Sequence, residues 1–143
     1  MRLAAALVTA IVMALAASAA TGGRDAFKPL DGRYTGHIGT AAVRVDVGGF
    51  LRPDSRQLPA VRLVKWSAKL RCPGHRAHTE STQMSAARIG RDFSGYTTFP
   101  GGKLSFEGTF TRLDALRATV RVKRTNGSIK CDTGAVRFSA KRR

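Results

Sequence analysis

LRATVRVKRTNGSIKC, residues 116–131, contains the hairpin that decides the fold. Apolar and polar residues alternate before Asn126-Gly127, and a shorter run of the same kind follows. Alternation with a period of two is typical of a half-buried strand, and Asn-Gly is the strongest short-range signal for a two-residue hairpin turn. With Asn126-Gly127 as the turn, Val122 is expected opposite Cys131, and Leu116 and Cys131 are expected on one face.

The next residues contain Asp132-Thr133-Gly134, which resembles the active-site signature of aspartic proteases. After the turn the inward residues Ile129 and Cys131 are odd-numbered, whereas Val136, Phe138 and Ala140 are even-numbered, so we expect a bulge at Thr133-Gly134 that switches the facing. The predicted register places Asp132 opposite Arg121 as an ion pair, whereas a protease needs two aspartates that share a proton. We therefore predict a structural role for Asp132, and no catalytic residue.

Period-two runs also occupy most of the remaining chain, in residues 34–38, 43–47, 64–72, 91–99 and 103–110. The clearest is VKWSAKLRC, residues 64–72, which we expect to form one strand. Turn residues separate the runs, with a loop over 48–59 and a tight turn at Pro100-Gly101-Gly102. About eight short strands in about 110 residues predict an all-β fold, a single antiparallel barrel or sandwich with a C-terminal meander.

Three of these runs share a pattern in which a glycine stands two residues after an aromatic residue. They are YTGHI, FSGYT and FEGTF, with Gly36, Gly95 and Gly108. A glycine inside a strand permits a close backbone approach or a bend at a barrel corner. We expect the three glycines at such places.

The N-terminus has the features of a secretory signal peptide. A positive start, the uncharged run 3–16 and an Ala-Ser-Ala site predict cleavage after Ala19. We expect a signal-peptide helix in residues 1–19, a flexible segment in 20–30 and a single β domain in 31–143, with no transmembrane segment after cleavage. The expected location is secreted or in the cell envelope. There the two cysteines, Cys72 and Cys131, meet an oxidising compartment and have one possible pairing.

The chain is strongly basic. It holds 25 Lys and Arg residues against 9 Asp and Glu, a formal net charge of +16, and removal of Arg2 with a signal peptide lowers it by one. Such a charge favours polyanionic partners, although solvated charge that keeps an exported protein in solution explains it equally well. The candidate anion-binding residues lie on the outer face of the meander: Arg117, Arg121, Lys123, Lys130 and Arg137.

In the predicted register Lys130 lies opposite Lys123, a like-charge pair that is unfavourable unless an anion bridges it. We expect an anionic envelope polymer or an acidic protein as the partner. Specific nucleic-acid recognition is not expected, because exposed aromatic residues are not interleaved with these cations.

The sequence contains only weak indications of a metal site or of enzymatic activity. Cys72, His75, His78 and Glu80 have a spacing that zinc sites use, but the histidines stand among loop residues and an exported cysteine favours a disulfide. Nucleophile-elbow, zinc-protease and phosphate-loop motifs do not occur in the sequence. We predict no metal, no cofactor and no enzymatic activity.

The segments DGRYTGHI, FEGTF and CDTGAVRFSAKR, together with Cys72, resemble a group of small secreted bacterial proteins of unknown function. The resemblance spans residues 31–142. It implies an exported all-β domain with a Cys72–Cys131 bond, and it implies no activity.

Three hypotheses for function follow. The first is a non-enzymatic exported domain that binds an anionic surface. The second is a carrier of a small apolar ligand, because length and strand count are similar to those of avidin- and lipocalin-like barrels. The third is an inhibitor of a secreted enzyme that uses a loop within 48–59 or 73–82.

Overall fold

The computed structural model describes residues 27–51 and 57–143. The predicted signal peptide, 1–19, lies outside these residues, as do residues 20–26 of the predicted flexible segment. Eleven strands and no helix make up the described part of the chain. In chain order they are β1 (Gly32–Ile38), β2 (Ala41–Leu51), β3 (Gln57–Lys65), β4 (Ala68–Leu70), β5 (His78–Glu80), β6 (Met84–Ile89), β7 (Asp92–Phe99), β8 (Gly102–Arg112), β9 (Ala115–Asn126), β10 (Ile129–Asp132) and β11 (Val136–Arg142).

Eight of the strands close into an antiparallel barrel. Their order around the barrel is β1-β2-β3-β6-β7-β8-β9-β11, and β11 pairs with β1 to complete the circle. β10 is an additional strand that pairs with the second half of β9, and β4 and β5 form a separate two-stranded ribbon. The prediction of an all-β fold is therefore confirmed, and the architecture is a barrel rather than a sandwich.

The C-terminal meander β7-β8-β9 is present, with the predicted turn between Phe99 and Gly102. Gly101 takes a left-handed backbone conformation in that turn, with φ of 76°. A glycine adopts this conformation without steric cost, which is why the Pro-Gly-Gly sequence ends one strand and begins the next.

Inward side chains fill the barrel. The largest fully buried ones include Trp66, Tyr34, Phe106 and Phe110. Tyr34 packs edge-on against Phe110 with ring centroids 5.9 Å apart, and its hydroxyl donates to the carbonyl oxygen of Leu30 at 2.7 Å. The interior is thus a packed apolar core whose polar groups have partners, which is the usual state of a small barrel.

Gly36, Gly95 and Gly108 stand at close backbone approaches, as the repeat predicts. A Cβ atom on Gly36 would collide with the carbonyl oxygen of Ser139, and one on Gly108 with that of Arg117. On Gly95 it would lie 2.8 Å from the carbonyl oxygen of Ser85. Each glycine thus stands where a side chain would collide with the neighbouring strand, and the repeat marks close backbone approaches within the barrel.

Two predicted boundaries were wrong. Residues 64–72 do not form one strand, because β3 ends at Lys65 and the chain leaves the barrel before β4. The reason is Trp66, which is buried and whose Nε1 donates to the carbonyl oxygen of Thr82 at 2.7 Å, outside any strand ladder. The predicted loop 48–59 is also shorter, since β2 continues to Leu51 and β3 begins at Gln57.

Residues 27–30 contact the barrel, although we expected a flexible segment there. Phe27 packs on Phe110 with ring centroids 6.1 Å apart, and its carbonyl oxygen accepts a hydrogen bond from Arg88 at 3.0 Å. The amide of Leu30 donates to the carbonyl oxygen of Leu113 at 2.9 Å. These contacts place the described start of the chain across one end of the barrel.

The disulfide Cys72–Cys131 is formed, with Cα atoms 4.3 Å apart. It joins the loop between β4 and β5 to β10, and Cys131 is buried. A disulfide is consistent with an oxidising compartment. Within the described residues, no helix is long and apolar enough to cross a membrane.

Candidate functional site

The second half of β9 positions the candidate residues. Even-numbered residues of β9 point into the barrel as far as Val122, and odd-numbered ones such as Arg117, Arg121 and Lys123 point outward. Lys130 on β10 and Arg137 on β11 are exposed as well. The structure therefore places all five predicted residues on the outer surface, but not as one stripe.

The predicted register of the β9–β10 hairpin was wrong by two residues. Asn126 pairs with Ile129, so the two-residue turn is Gly127-Ser128 rather than Asn126-Gly127. Gly127 has φ of 61° and occupies the first turn position, where a left-handed conformation suits glycine, while Asn126 stays in the strand. A shift of two residues keeps every side chain on its predicted face but changes its opposite partner.

That shift separates Lys130 from Lys123. Lys130 lies opposite Thr125, and Lys123 lies opposite Asp132 on β10. On its other side Lys123 lies directly opposite Lys103 of β8. A like-charge pair is thus present on this face, with a partner that the sequence-based register did not predict.

The line of opposite residues Lys103, Lys123 and Asp132 continues beyond β10 to Arg71. Arg71 forms an isolated antiparallel bridge with Asp132, in which each amide donates to the other residue's carbonyl oxygen, at 3.1 and 3.0 Å. Residues that are directly opposite in an antiparallel pair project from the same face. We call the resulting set of outward cations around Asp132 the basic face: Arg71, Lys103, Arg121, Lys123 and Lys130.

Asp132 is the acidic member of this surface, and its carboxylate is already engaged. Arg121 Nε donates to Oδ1 at 2.9 Å and Nη2 donates to Oδ2, while the amide of Gly134 donates to Oδ1 at 2.7 Å. The hydrogen bond from Arg121 holds the pKa of the Asp132 carboxyl below its usual value, and the same bond raises the pKa of Arg121. Asp132 therefore carries its charge, but Arg121 neutralises it.

The Asp-Thr-Gly tripeptide is a bend, as predicted. The amide of Val122 donates to Thr133 Oγ1 at 2.9 Å, and the amide of Thr133 donates to the Val122 carbonyl oxygen at 3.0 Å. Three residues lie between Asp132 and Val136, whereas two lie between their partners Lys123 and Val120 on β9. The extra residue switches the facing between β10 and β11, which is the property of a β-bulge.

Lys103, Lys123 and Lys130 have no carboxylate within salt-bridge distance among the described residues. Lys103 Nζ instead lies 4.2 Å from the ring centroid of Tyr96, whose residue is 68% exposed. An ammonium group over an aromatic face is attracted by the ring quadrupole. An exposed ring therefore borders the lysines, contrary to the expectation that no aromatic residue is interleaved with them.

Arg117 and Arg137 belong to a different part of the surface. They line an open groove of about 660 Å³ that crosses β6, β7, β8, β9 and β11. Asp92 and Glu107 line the same groove, so its charge is mixed. The Arg121–Asp132 pair lies between this groove and the lysines, and the predicted stripe is accordingly two separate surfaces.

Sequence reasoning did not include Lys103, Tyr96 or Arg71 in this surface. The outward position of Tyr96 could have been predicted from the alternation of the strand. Phe93 is buried, and a residue three positions later in a regular strand points to the opposite face. Lys103 needed the β8–β9 register, which an irregularity between Phe110 and Arg112 shifts. Arg71 needed the bridge to Asp132, a contact between distant parts of the chain.

The histidine loop does not gather into a metal centre. Cys72 is bonded to Cys131, so its thiolate is not available as a ligand. Within the described residues, no three His, Cys, Asp or Glu side chains lie close enough together to hold a metal ion.

No protein-family model, no curated protein and no solved structure matches this chain. The resemblance to small secreted all-β proteins stays a prediction.

Proposed function

We propose that the protein is an exported, non-enzymatic β-barrel domain that binds an anionic polymer of the cell envelope or its surroundings through the basic face. The observation that carries the proposal is the direct opposition of Lys103 and Lys123 on neighbouring strands. Like charges in that position destabilise a sheet unless something compensates them, and an anion bridging the two ammonium groups does so.

The surroundings of this pair favour an extended anion. Lys130 and Arg71 flank it on the β10 side, and Arg121 cancels the charge of Asp132 between them. The cations therefore extend over several strands instead of converging on one point. A polymer with repeated negative charges matches such a row better than a single small ion does.

The exposed ring of Tyr96 helps to decide which kind of anionic polymer fits the basic face. A single exposed ring offers one stacking position, whereas proteins that bind single-stranded nucleic acids stack successive bases on several aromatic residues. We therefore propose a flexible acidic polymer, such as a teichoic acid or an acidic polysaccharide, and no specific recognition of nucleic acid.

The two alternative hypotheses, a carrier of an apolar ligand and an enzyme inhibitor, have less support. Large side chains such as Trp66 and Phe106 fill the barrel interior, where a carried apolar ligand would have to lie. The loops suggested for enzyme inhibition are partly strands, since β2 and β3 occupy the ends of 48–59 and β5 lies within 73–82. Residues 52–56 lie outside the described residues.

Salt dependence of binding tests the proposal. The basic face can make about four or five contacts to phosphate-like groups. We therefore expect the affinity for immobilised heparin or teichoic acid to fall by roughly three orders of magnitude for each tenfold rise in salt concentration. The double variant Lys103→Glu/Lys123→Glu removes two of these contacts and should flatten the slope. Circular dichroism checks that both outward substitutions leave the fold intact.

A matched control is Arg117→Glu/Arg137→Glu, which changes the net charge by the same amount on the mixed-charge groove. It should elute close to the wild type. If both double variants lose affinity equally, overall charge drives retention and the basic face is not the site. If neither variant changes the salt slope, the proposal is wrong.

A further inference from the structure

A cleft lies beside the tip of the β9–β10 hairpin. It has a volume of about 630 Å³ and separates the hairpin from the loop that follows β4. Arg124 and Ile129 of the hairpin line it, and neither of them belongs to the basic face. Whatever occupies the cleft therefore meets different side chains from a polymer on the outer surface.

The floor of the cleft is apolar. Ile129 and the Cys72–Cys131 disulfide form its surface, and Leu70 lies directly beneath them, fully buried. The disulfide covalently links the loop after β4 to the hairpin. A concave apolar floor with a few polar groups at its edge is the usual form of a small-molecule site.

The rim of the cleft is cationic. His75, Arg76 and His78 line it from the loop after Cys72 and the start of β5, and Arg124 lines it from β9. The neighbouring carboxylate is that of Glu80, which lies 2.9 Å from Arg124 Nε and 3.9 Å from His78 Nε2 and is nearly buried. No Asp or Glu is among the described residues that line the cleft itself.

We infer that this cleft binds a small organic anion, with its apolar body on the Leu70–Ile129–disulfide floor and its carboxylate or phosphate group at the cationic rim. Arg124 is held by Glu80, so Arg76 supplies the charge that the anion needs, and ring N–H groups of the two histidines supply further hydrogen bonds. Guanidinium groups suit carboxylate and phosphate because their donors match the spacing of two oxygens. The inference is independent of the proposed polymer binding on the opposite side of the hairpin.

Titration calorimetry with ligands that share one apolar chain tests the inference. The probes are octanoate, octyl phosphate, octanol and octylammonium, with inorganic phosphate as the head group that lacks the chain. We expect saturable binding of at least one of the two anions, binding of octanol weaker by about tenfold or more, and no binding of octylammonium. The comparison of octanoate with octyl phosphate identifies the preferred head group.

The variant Arg76→Gln/His78→Gln should lower the affinity for the bound anion by about tenfold. Because both side chains are exposed, the variant is expected to fold, and its melting temperature checks this. The control Arg117→Gln/Arg137→Gln removes two cations far from the cleft and should bind the anion like the wild type.

Four results would overturn the inference. Equal affinity for octanol and octanoate shows that the rim contributes nothing, and equal affinity for inorganic phosphate and octyl phosphate shows that the floor contributes nothing. Equal losses in the two double variants show a non-specific charge effect. The absence of saturable binding of either anion shows that the cleft is not a site for this class of ligand.

Discussion

β9 passes through two unlike surroundings. From Ala115 to Val120 it pairs with β8 on one side and β11 on the other, inside the closed barrel. From Lys123 to Asn126 its other partner is the four-residue β10, and the pairing with β8 continues only to Arg124. The first half is buried in the continuous ladder of the barrel, and the second half extends beyond it.

The two halves are held by different interactions. In the closed half, inward residues such as Leu116, Ala118 and Val120 pack in the common core. In the extended half a few specific contacts take over, among them the Cys72–Cys131 bond and the Arg124–Glu80 pair. Both the basic face and the cleft border the extended half. Surfaces free for binding thus lie where the barrel ladder no longer determines the structure.

The largest expected effect comes from cutting the covalent link of the extended half. The cysteines are 59 residues apart, and removing the disulfide with Cys72→Ala/Cys131→Ala should lower the free energy of unfolding by about 4 kcal/mol. Urea denaturation measures this loss. In hydrogen exchange, amides of Lys123 and Lys130 should lose protection before those of Ala118 and Val120, because the closed half keeps its core.

Reduction of the wild-type disulfide is the control and should reproduce the effect without a substitution. A loss below about 1 kcal/mol would contradict the prediction, since it would show that the ribbon and β10 dock without the covalent link. Equal loss of exchange protection in both halves of β9 would show that they unfold as one unit, and the distinction between them would be withdrawn.

An intermediate effect is expected from Arg124→Met. The substitution leaves the Glu80 side chain, which is 7% exposed, without its charge partner. Breaking a fully buried pair costs about 3–5 kcal/mol, and because the Arg124 side chain is 42% exposed we expect about 2 kcal/mol. The double variant Glu80→Gln/Arg124→Met should recover part of the loss, because no unpaired charge remains. The prediction is wrong if the single variant unfolds at the same urea concentration as the wild type.

The same contrast explains what the sequence predicted well. One face of every barrel strand is buried, so the inward residues of 115–122 can be predicted from local alternation. The close approaches at Gly36 and Gly108 can likewise be predicted from the glycine repeat. The inward and outward assignments of β9 were therefore right even with a misplaced turn. The disulfide was also predictable, since two cysteines allow one intramolecular pairing.

The extended half was harder to predict because long-range contacts determine it. Trp66 ends β3 by packing into the core, the bridge between Arg71 and Asp132 joins segments 61 positions apart in the numbering, and Lys103 meets Lys123 only through the β8–β9 register. None of these contacts leaves a periodic signal in the sequence. The candidate site was accordingly predicted in its residue types and facing, but not in its grouping.

The smallest expected effect separates surface charge from both kinds of packing. Asp132 on β10, beside the extended half of β9, and Asp46 on β2 of the closed barrel each form a two-pronged pair with an arginine, Arg121 and Arg44, and their side chains are 36% and 35% exposed. In both cases the arginine holds the pKa of the carboxyl below its usual value. Because a lowered folded-state pKa stabilises the ionised form, each pair contributes stability above about pH 4 that is lost as the pH falls through the folded-state pKa.

We therefore expect Asp132→Asn and Asp46→Asn each to cost less than about 1 kcal/mol at pH 7, since solvent screens half-exposed pairs. They should cost still less at pH 3, because that pH lies below the unfolded-state pKa of about 4 and part of each pair's contribution is then lost. Urea denaturation of the wild type and both variants at the two pH values measures this. Equal, small and pH-dependent effects would show that surface ion pairs contribute alike in the closed barrel and beside the extended half of β9. A larger cost for Asp132→Asn that persists at pH 3 would contradict the charge explanation. It would mean instead that Asp132 matters through the shape of the bend, where its Oδ1 accepts from the amide of Gly134.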